Sequence, residues 1–160
     1  MLQYDFSKVR RIYIMINWEL TKYSDLSKDL LYQILKIRQE VFVIEQNCNY
    51  LDADSEDQYS YHLIGFKNGI IVAYMRIVNP GRVYEYLSFG RILVKKEYRG
   101  LGLGYQLVQK ALDLFSTKNP SIIMSAQLYL INFYKKFNFH PIGDEYLEDD
   151  IPHIKMIRNG

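Results

Sequence analysis

Cysteine is almost missing from this 160-residue chain: Cys48 stands alone, so no internal disulfide can form. With no basic, apolar, small-residue pattern at the N-terminus, the expected compartment is the cytoplasm. Long apolar runs are missing as well. Nothing approaches the ~18 residues that cross a bilayer, and no membrane partner is expected. Charge of one sign is scarce: 20 Lys and Arg against 18 Asp and Glu leave +2, and the pI is about 8.5. That argues against nucleic acid, whose binders usually carry a basic stripe and a domain pI above ~9. Alanine occurs only at positions 53, 73, 111 and 126, and there is no internal repeat or low-complexity tract.

What is there in excess is tyrosine, 15 residues of it, in a chain that is 49% apolar and 24% charged. These fractions suit a globular protein, and the length suits one core rather than two. Residues 1–14 (MLQYDFSKVRRIYI) read as a basic, aromatic extension peripheral to that core, with a single domain over residues 15–160.

Alternation of Ile16, Trp18 and Leu20 with polar residues predicts a first strand. Ser24, Asp25 and Ser27 offer cap oxygens to a helix whose apolar positions are Leu30, Leu31, Ile34, Ile37, Val41 and Phe42. Residues 46–60 read as a long polar loop. Residues 62–67 and 70–79 flank Asn68-Gly69, the dipeptide of a type I′ hairpin turn. A strand over 88–94 then leads through a glycine-rich turn into a helix bearing Leu107, Val108, Ala111, Leu112 and Phe115. A short strand over 122–126, a helix over 128–137 and a closing pair of strands, 139–142 and 154–158, complete the chain. The order β-α-β-β-β-α-β-α-β-β is that of one α/β (α+β) layer structure.

The turn is Arg99-Gly100-Leu101-Gly102-Leu103-Gly104, directly after a strand and opening a helix. Free backbone N–H groups and the positive helix end make such a place a cradle for phosphate, and glycine lets the anion approach closely. The dinucleotide fingerprint G-x-G-x-x-G and the P-loop both fail on spacing. R-x-x-G-x-G fits, read as Arg99, Gly102 and Gly104. This resembles the pyrophosphate motif of the GNAT superfamily of N-acetyltransferases. A tyrosine-bearing phrase of that superfamily, FY-x-K-x-GF, is matched by Phe133 to Phe139 (FYKKFNF), with Asn138 where glycine is usual. VFVIEQNC at 41–48, LDAD at 51–54, SAQ at 125–127 and YLEDDIPHI at 146–154 resemble the ElaA-like branch.

The resemblance implies a mixed, mostly antiparallel central sheet flanked by helices and splayed between strands 4 and 5. It implies acetyl-CoA as co-substrate, a primary amine (small molecule or peptide) as acceptor, direct transfer without a metal, and the homodimer habit of the family. Leu93 and Val94 would pair with the pantetheine arm, and residues Arg99, Gly100, Leu101, Gly102, Leu103 and Gly104 would hold the pyrophosphate. Gln127 stands where many relatives carry an asparagine on pantetheine. Tyr134 is the expected general acid for the departing thiolate, protonated at neutral pH by its reference pKa of ~10. For the base, Glu45, His153 and Glu85 are all open, as is a water chain; Arg38, Gln39 and Gln46 are candidates for the acceptor pocket. The rival reading is a non-catalytic acyl-CoA-binding or protein-interaction module on the same fold. Asp52, Asp54 and Glu56 lack the glycine and the final glutamate of a calcium loop, and the histidines have no ligand spacing with Cys48, so no metal is expected. The acids at 144–150 read as a solvated loop, with attraction of a cationic acceptor as the alternative.

Overall fold

The computed structural model describes residues 15–160; the N-terminal extension expected at 1–14 lies outside them. Seven strands form one sheet in the order β1-β2-β3-β4-β5-β7-β6. They are β1 (Asn17–Lys22), β2 (Ser60–Lys67), β3 (Ile70–Val78), β4 (Leu87–Val94), β5 (Ser121–Gln127), β6 (His140–Glu148) and β7 (Ile151–Asn159). The helices are α1 (Lys28–Arg38), α2 (Leu103–Phe115) and α3 (Ile131–Lys135).

Strand periodicity divides the core between the two faces of the sheet. Leu63, Ala73, Met75 and Ile77 point to one side, where they meet Leu107, Val108, Ala111 and Leu112 of α2. Ile64 and Tyr74 point to the other and pack on Ile34 and Ile37 of α1. Because β3 is covered on both faces, its run IIVAYMRIV is apolar almost without interruption. Ser27 caps α1, its hydroxyl accepting from the Leu30 N–H at 3.1 Å. Asn68 and Gly69 both take positive φ, as the I′ turn requires.

Three differences from the periodicity matter for the site. The single helix expected through Phe42 stops being α-helical at Arg38 and widens into a π-helical segment, Gln39–Glu45, with Gln46 and Cys48 N–H groups reaching back five residues to Val41 and Val43. The helix expected over 128–137 shrinks to α3 behind a 3-10 turn, Leu128–Leu130. The acids at 144–150 are no loop: β6 runs on to Glu148 and turns into β7 through Asp149 and Asp150, both at positive φ.

The sheet parts in its middle. β4 and β5 are parallel and pair only at Leu87–Ile122 and Ser88–Ile123; from there the strands diverge. β4 also carries an extra residue. Tyr74 faces Leu93 and Arg76 faces Gly90, so Met75 alone opposes Arg91 and Ile92. Arg91 absorbs this bulge at φ 51°, in the left-handed region.

Candidate active site

A cleft of about 1000 Å³ occupies the gap between the diverging strands, lined by residues of both β4 and β5. One end is built by the glycine turn. Gly100 and Gly102 sit at φ 74° and 81°, and a Cβ on either would meet nothing within 4 Å, so glycine is required there by backbone conformation. Gly102 caps α2, whose first internal bond is donated by Gln106 to the Gly102 carbonyl at 3.1 Å; the N–H groups of Leu103, Gly104 and Tyr105 precede it. Arg99, Gly100, Gly102, Leu103 and Gly104 line this end, whereas Leu101 is half exposed and does not.

Arg99 is occupied. Its guanidinium grips both oxygens of Glu45, through Nη1 to Oε1 and Nη2 to Oε2, while its Nε donates to the Val94 carbonyl at 2.9 Å. The Arg99 hydrogen bond holds the Glu45 carboxyl below its ordinary range despite some burial. A base expectation at Glu45 therefore meets a carboxylate already committed to a cation.

Further along, the backbone of β4 decides what faces the gap. Lys95 N–H donates to Val72 on β3 at 2.8 Å, so by alternation Leu93 also pairs inward while the N–H of Val94 points into the cleft. Of the two residues expected to pair with a pantetheine arm, the Val94 backbone alone is turned to receive it. Opposite, Gln127 donates to Gln46 at 3.2 Å. Tyr134 is 4% exposed and lines the cleft between rings of Phe133 and Phe139. Its hydroxyl has no hydrogen-bond partner among the described residues. Burial, with a smaller contribution from Tyr129, pushes it well above the ordinary tyrosine range, so it holds its proton.

The far end is lined by Ser88, Tyr84, Ser125, Glu148 and His153. Ser125 meets the Tyr146 hydroxyl at 2.5 Å and donates to Glu148 at 2.7 Å. His153 stacks on Tyr146, and its Nδ1 lies 2.7 Å from the Ile151 carbonyl. In the neutral ring Nδ1 is then the protonated nitrogen, leaving the Nε2 lone pair available. Glu85 and Gln39 lie away from the cleft wall. Arg38 does not reach it either, being fully buried elsewhere. Cys48 is buried, its thiol donating to the Asp149 carbonyl at 3.1 Å; burial, then Asp149 and Asp150, push it up and away from a reactive thiolate.

Sequence reasoning missed one assembly: a closed ring of three arginines and three aspartates at the cleft, three of whose members, Asp54, Arg76 and Arg91, line its wall. Arg38 Nε donates to Asp52 at 2.7 Å and Arg91 Nε to the other oxygen of Asp52 at 2.7 Å. Arg91 Nη2 lies 3.3 Å from Asp54, which forks with Arg76 through two bonds of 2.6 Å. Arg76 reaches Asp57 at 3.0 Å, and Asp57 returns to Arg38 at 2.6 Å. Tyr50 donates to Asp52 at 2.9 Å, and His62 bridges the Tyr74 hydroxyl and the Asp57 carbonyl. Asp54 is held down to about 2, Arg76 outweighing the burial that opposes it. A signal existed: Arg76 and Arg91 interrupt otherwise apolar strands, and a buried charge demands a partner.

The parted parallel pair, the bulge and the glycine turn at the head of α2 together describe a recognised arrangement, and the model of the family described as "Acetyltransferase (GNAT) domain" matches residues 23–159. The chain belongs to the GNAT acyltransferase family. Within it the chain sits in the ElaA-like branch. Protein ElaA of Escherichia coli is 40% identical over 148 residues, 90% of this chain and 97% of that one, and its crystal structure superposes with a TM-score of 0.85, covering 91% of this chain and all of that one. An acyl-CoA N-acyltransferase from Pseudomonas aeruginosa is 36% identical, also at a TM-score of 0.85, over 90% and 99% of the two chains. The GNAT fold extends to a CoA-dependent acyl-homoserine lactone synthase solved with isopentyl-CoA, 15% identical at a TM-score of 0.75 over 91% and 83%. No helix among the described residues is long and apolar enough to cross a membrane, and no cluster among them could hold a metal ion.

Proposed function

We propose that the protein is an N-acetyltransferase that moves the acetyl group of acetyl-CoA to a primary amine by direct attack. The observation that carries this reading is Tyr134: a protonated, unpartnered hydroxyl on the wall of a cleft whose other end is a glycine-lined helix terminus. Acetyl-CoA supplies an activated thioester carbonyl and a thiolate leaving group. The N–H groups opening α2 hold the pyrophosphate, with Arg99 turning from Glu45 to the anion. Val94 N–H donates to the carbonyl oxygen as negative charge grows there. His153 Nε2 takes the amine proton, the nitrogen bonds to the acetyl carbon, the C–S bond breaks, and Tyr134 gives its proton to the sulfur.

The test follows free thiol release from acetyl-CoA over a panel of amines, peptides and aminoglycosides, alongside thermal stability. Acetyl-CoA at ~100 times its dissociation constant adds ~2.7 kcal/mol. Turnover on at least one amine, falling ~10²-fold in Tyr134→Phe with CoA affinity kept, is the expected result. Stabilisation without turnover on any acceptor would turn the reading into that of an acyl-CoA-binding module.

A further inference from the structure

We propose that Arg91 is a positioning residue for acyl transfer, and that the arginine–aspartate ring exists to hold the β4 bulge through it. The inference rests on the acetyl-CoA reading above.

The bulge determines which backbone groups face the cleft. Strand polarity alternates with a period of two, so one extra residue inverts everything downstream. With Arg91 absorbed as the extra residue, Leu93 and Lys95 bond to β3 and Val94 N–H faces the gap. Without it, Val94 would turn to β3 and the donor would leave the cleft. The bulge therefore aims the group on which carbonyl polarisation depends.

Nothing intrinsic to Arg91 favours it. A non-glycine residue in the left-handed region costs ~1–2 kcal/mol. What offsets that cost is the far end of the side chain. The guanidinium donates to the Asp52 carboxylate at 2.7 Å and to the Asp52 carbonyl at 3.2 Å, approaches Asp54 at 3.3 Å, and lies over the Tyr50 ring, 5.6 Å from its centroid. Asp52 is itself immobile, since Arg38 grips the same carboxylate and the same carbonyl, the latter at 3.0 Å. Arg38 belongs to the helix on one face of the sheet, Arg76 to β3, and the three aspartates to the segment between α1 and β2. The ring thus ties the bulge to three separate parts of the fold. It contains equal numbers of cations and anions, each in an ion pair within the ring, and the Arg91 guanidinium gives its hydrogen bonds to Asp52 and Asp54 even though it lies at the cleft wall, which fits an anchor.

Arg91→Gly separates the two contributions: glycine adopts φ 51° freely, so the backbone remains permitted while the anchor is gone. The readout is the infrared carbonyl stretch of acetyl-CoA labelled with ¹³C at the thioester carbon, which needs no acceptor. In the wild type the bound carbonyl shifts to lower frequency than in solution. In Arg91→Gly at least half of that shift is lost while the dissociation constant for CoA stays within about twofold, and turnover on an active amine falls through kcat rather than KM. Arg82→Gln, which breaks the nearby Arg82–Glu56 pair and removes no hydrogen bond or ion pair of β4, keeps the full shift. If Arg91→Gly fails to fold, Arg91→Lys takes its place: one ammonium cannot span Asp52 and Asp54, and the same loss is expected. A full shift in a folded Arg91 variant overturns the inference and leaves the acetyltransferase reading standing. A wild type that binds no acetyl-CoA overturns both.

Discussion

Two sets of arginine–carboxylate contacts flank one cleft and behave oppositely. At the glycine-turn end, Arg99 and Glu45 are about 41% and 32% exposed. At the other end Arg38 is fully buried and Arg76 and Asp52 are within 5% of it, while Arg91 and Asp54, at 19% and 32%, carry the ring out to the cleft wall. Water decides the difference. An exposed pair is worth about 0–1 kcal/mol and exchanges partners cheaply, so Arg99 can leave Glu45 for a phosphate. The buried members of the ring, Arg38, Arg76, Asp52 and Asp57, cannot lose a partner without stranding a charge in a medium of low dielectric, so they serve as frame rather than contact.

The sharpest way to break that contrast is to remove one ring member. Arg38→Met leaves Asp52 and Asp57 underpaired and is expected to cost ~3–5 kcal/mol in urea unfolding. A cost below 1 kcal/mol would make the ring energetically equivalent to the surface pair. At the other end, Arg99→Gln should weaken CoA binding about tenfold, by loss of a charge-assisted bond to the anion, with little change in the stability of the free protein. Titration calorimetry at two salt concentrations checks it, since the wild-type contact weakens with salt and the variant should respond less.

Acid sharpens the contrast further. Asp54, at about 2, and Asp57 are both held below the ordinary carboxylate value of 3.8 in the folded chain. Groups with depressed folded pKa values contribute stability that is complete above ~4 and is lost as pH falls toward 2. Asp54→Asn should flatten the stability profile in that window; an unchanged slope would remove Asp54 from the account. The smallest expected effect is Glu45→Gln, which frees Arg99: CoA affinity rises a few-fold, and the melting temperature of the free protein hardly moves.

Much of this fold is legible in the residue pattern because each signal is local. Asn68-Gly69 announces its turn, Ser27 its helix, and the glycines at 100 and 102 their left-handed backbone. The direction of the Val94 N–H is different in kind. It depends on a bulge that only pairing with β3 reveals. The ring escapes for a related reason: Asp52, Asp54 and Asp57 look like a solvated acidic loop until Arg38, Arg76 and Arg91, from three distant stretches, are brought over them. Even Glu45 changes character through a contact 54 residues away along the chain.

The two-residue joint between β4 and β5 has a mechanical meaning. β1 to β4 form one half of the sheet and β5, β7 and β6 the other; the backbones of the two halves meet only at Leu87–Ile122 and Ser88–Ile123, and the shared core under α2 and α3 joins them elsewhere. Amides with few lasting backbone partners open at lower free energy than those of a strand paired along both edges. The amides along this seam should therefore exchange with solvent sooner than those of β3, and a molecule lying in the gap would act as a rivet between two halves whose backbones meet at only two pairs.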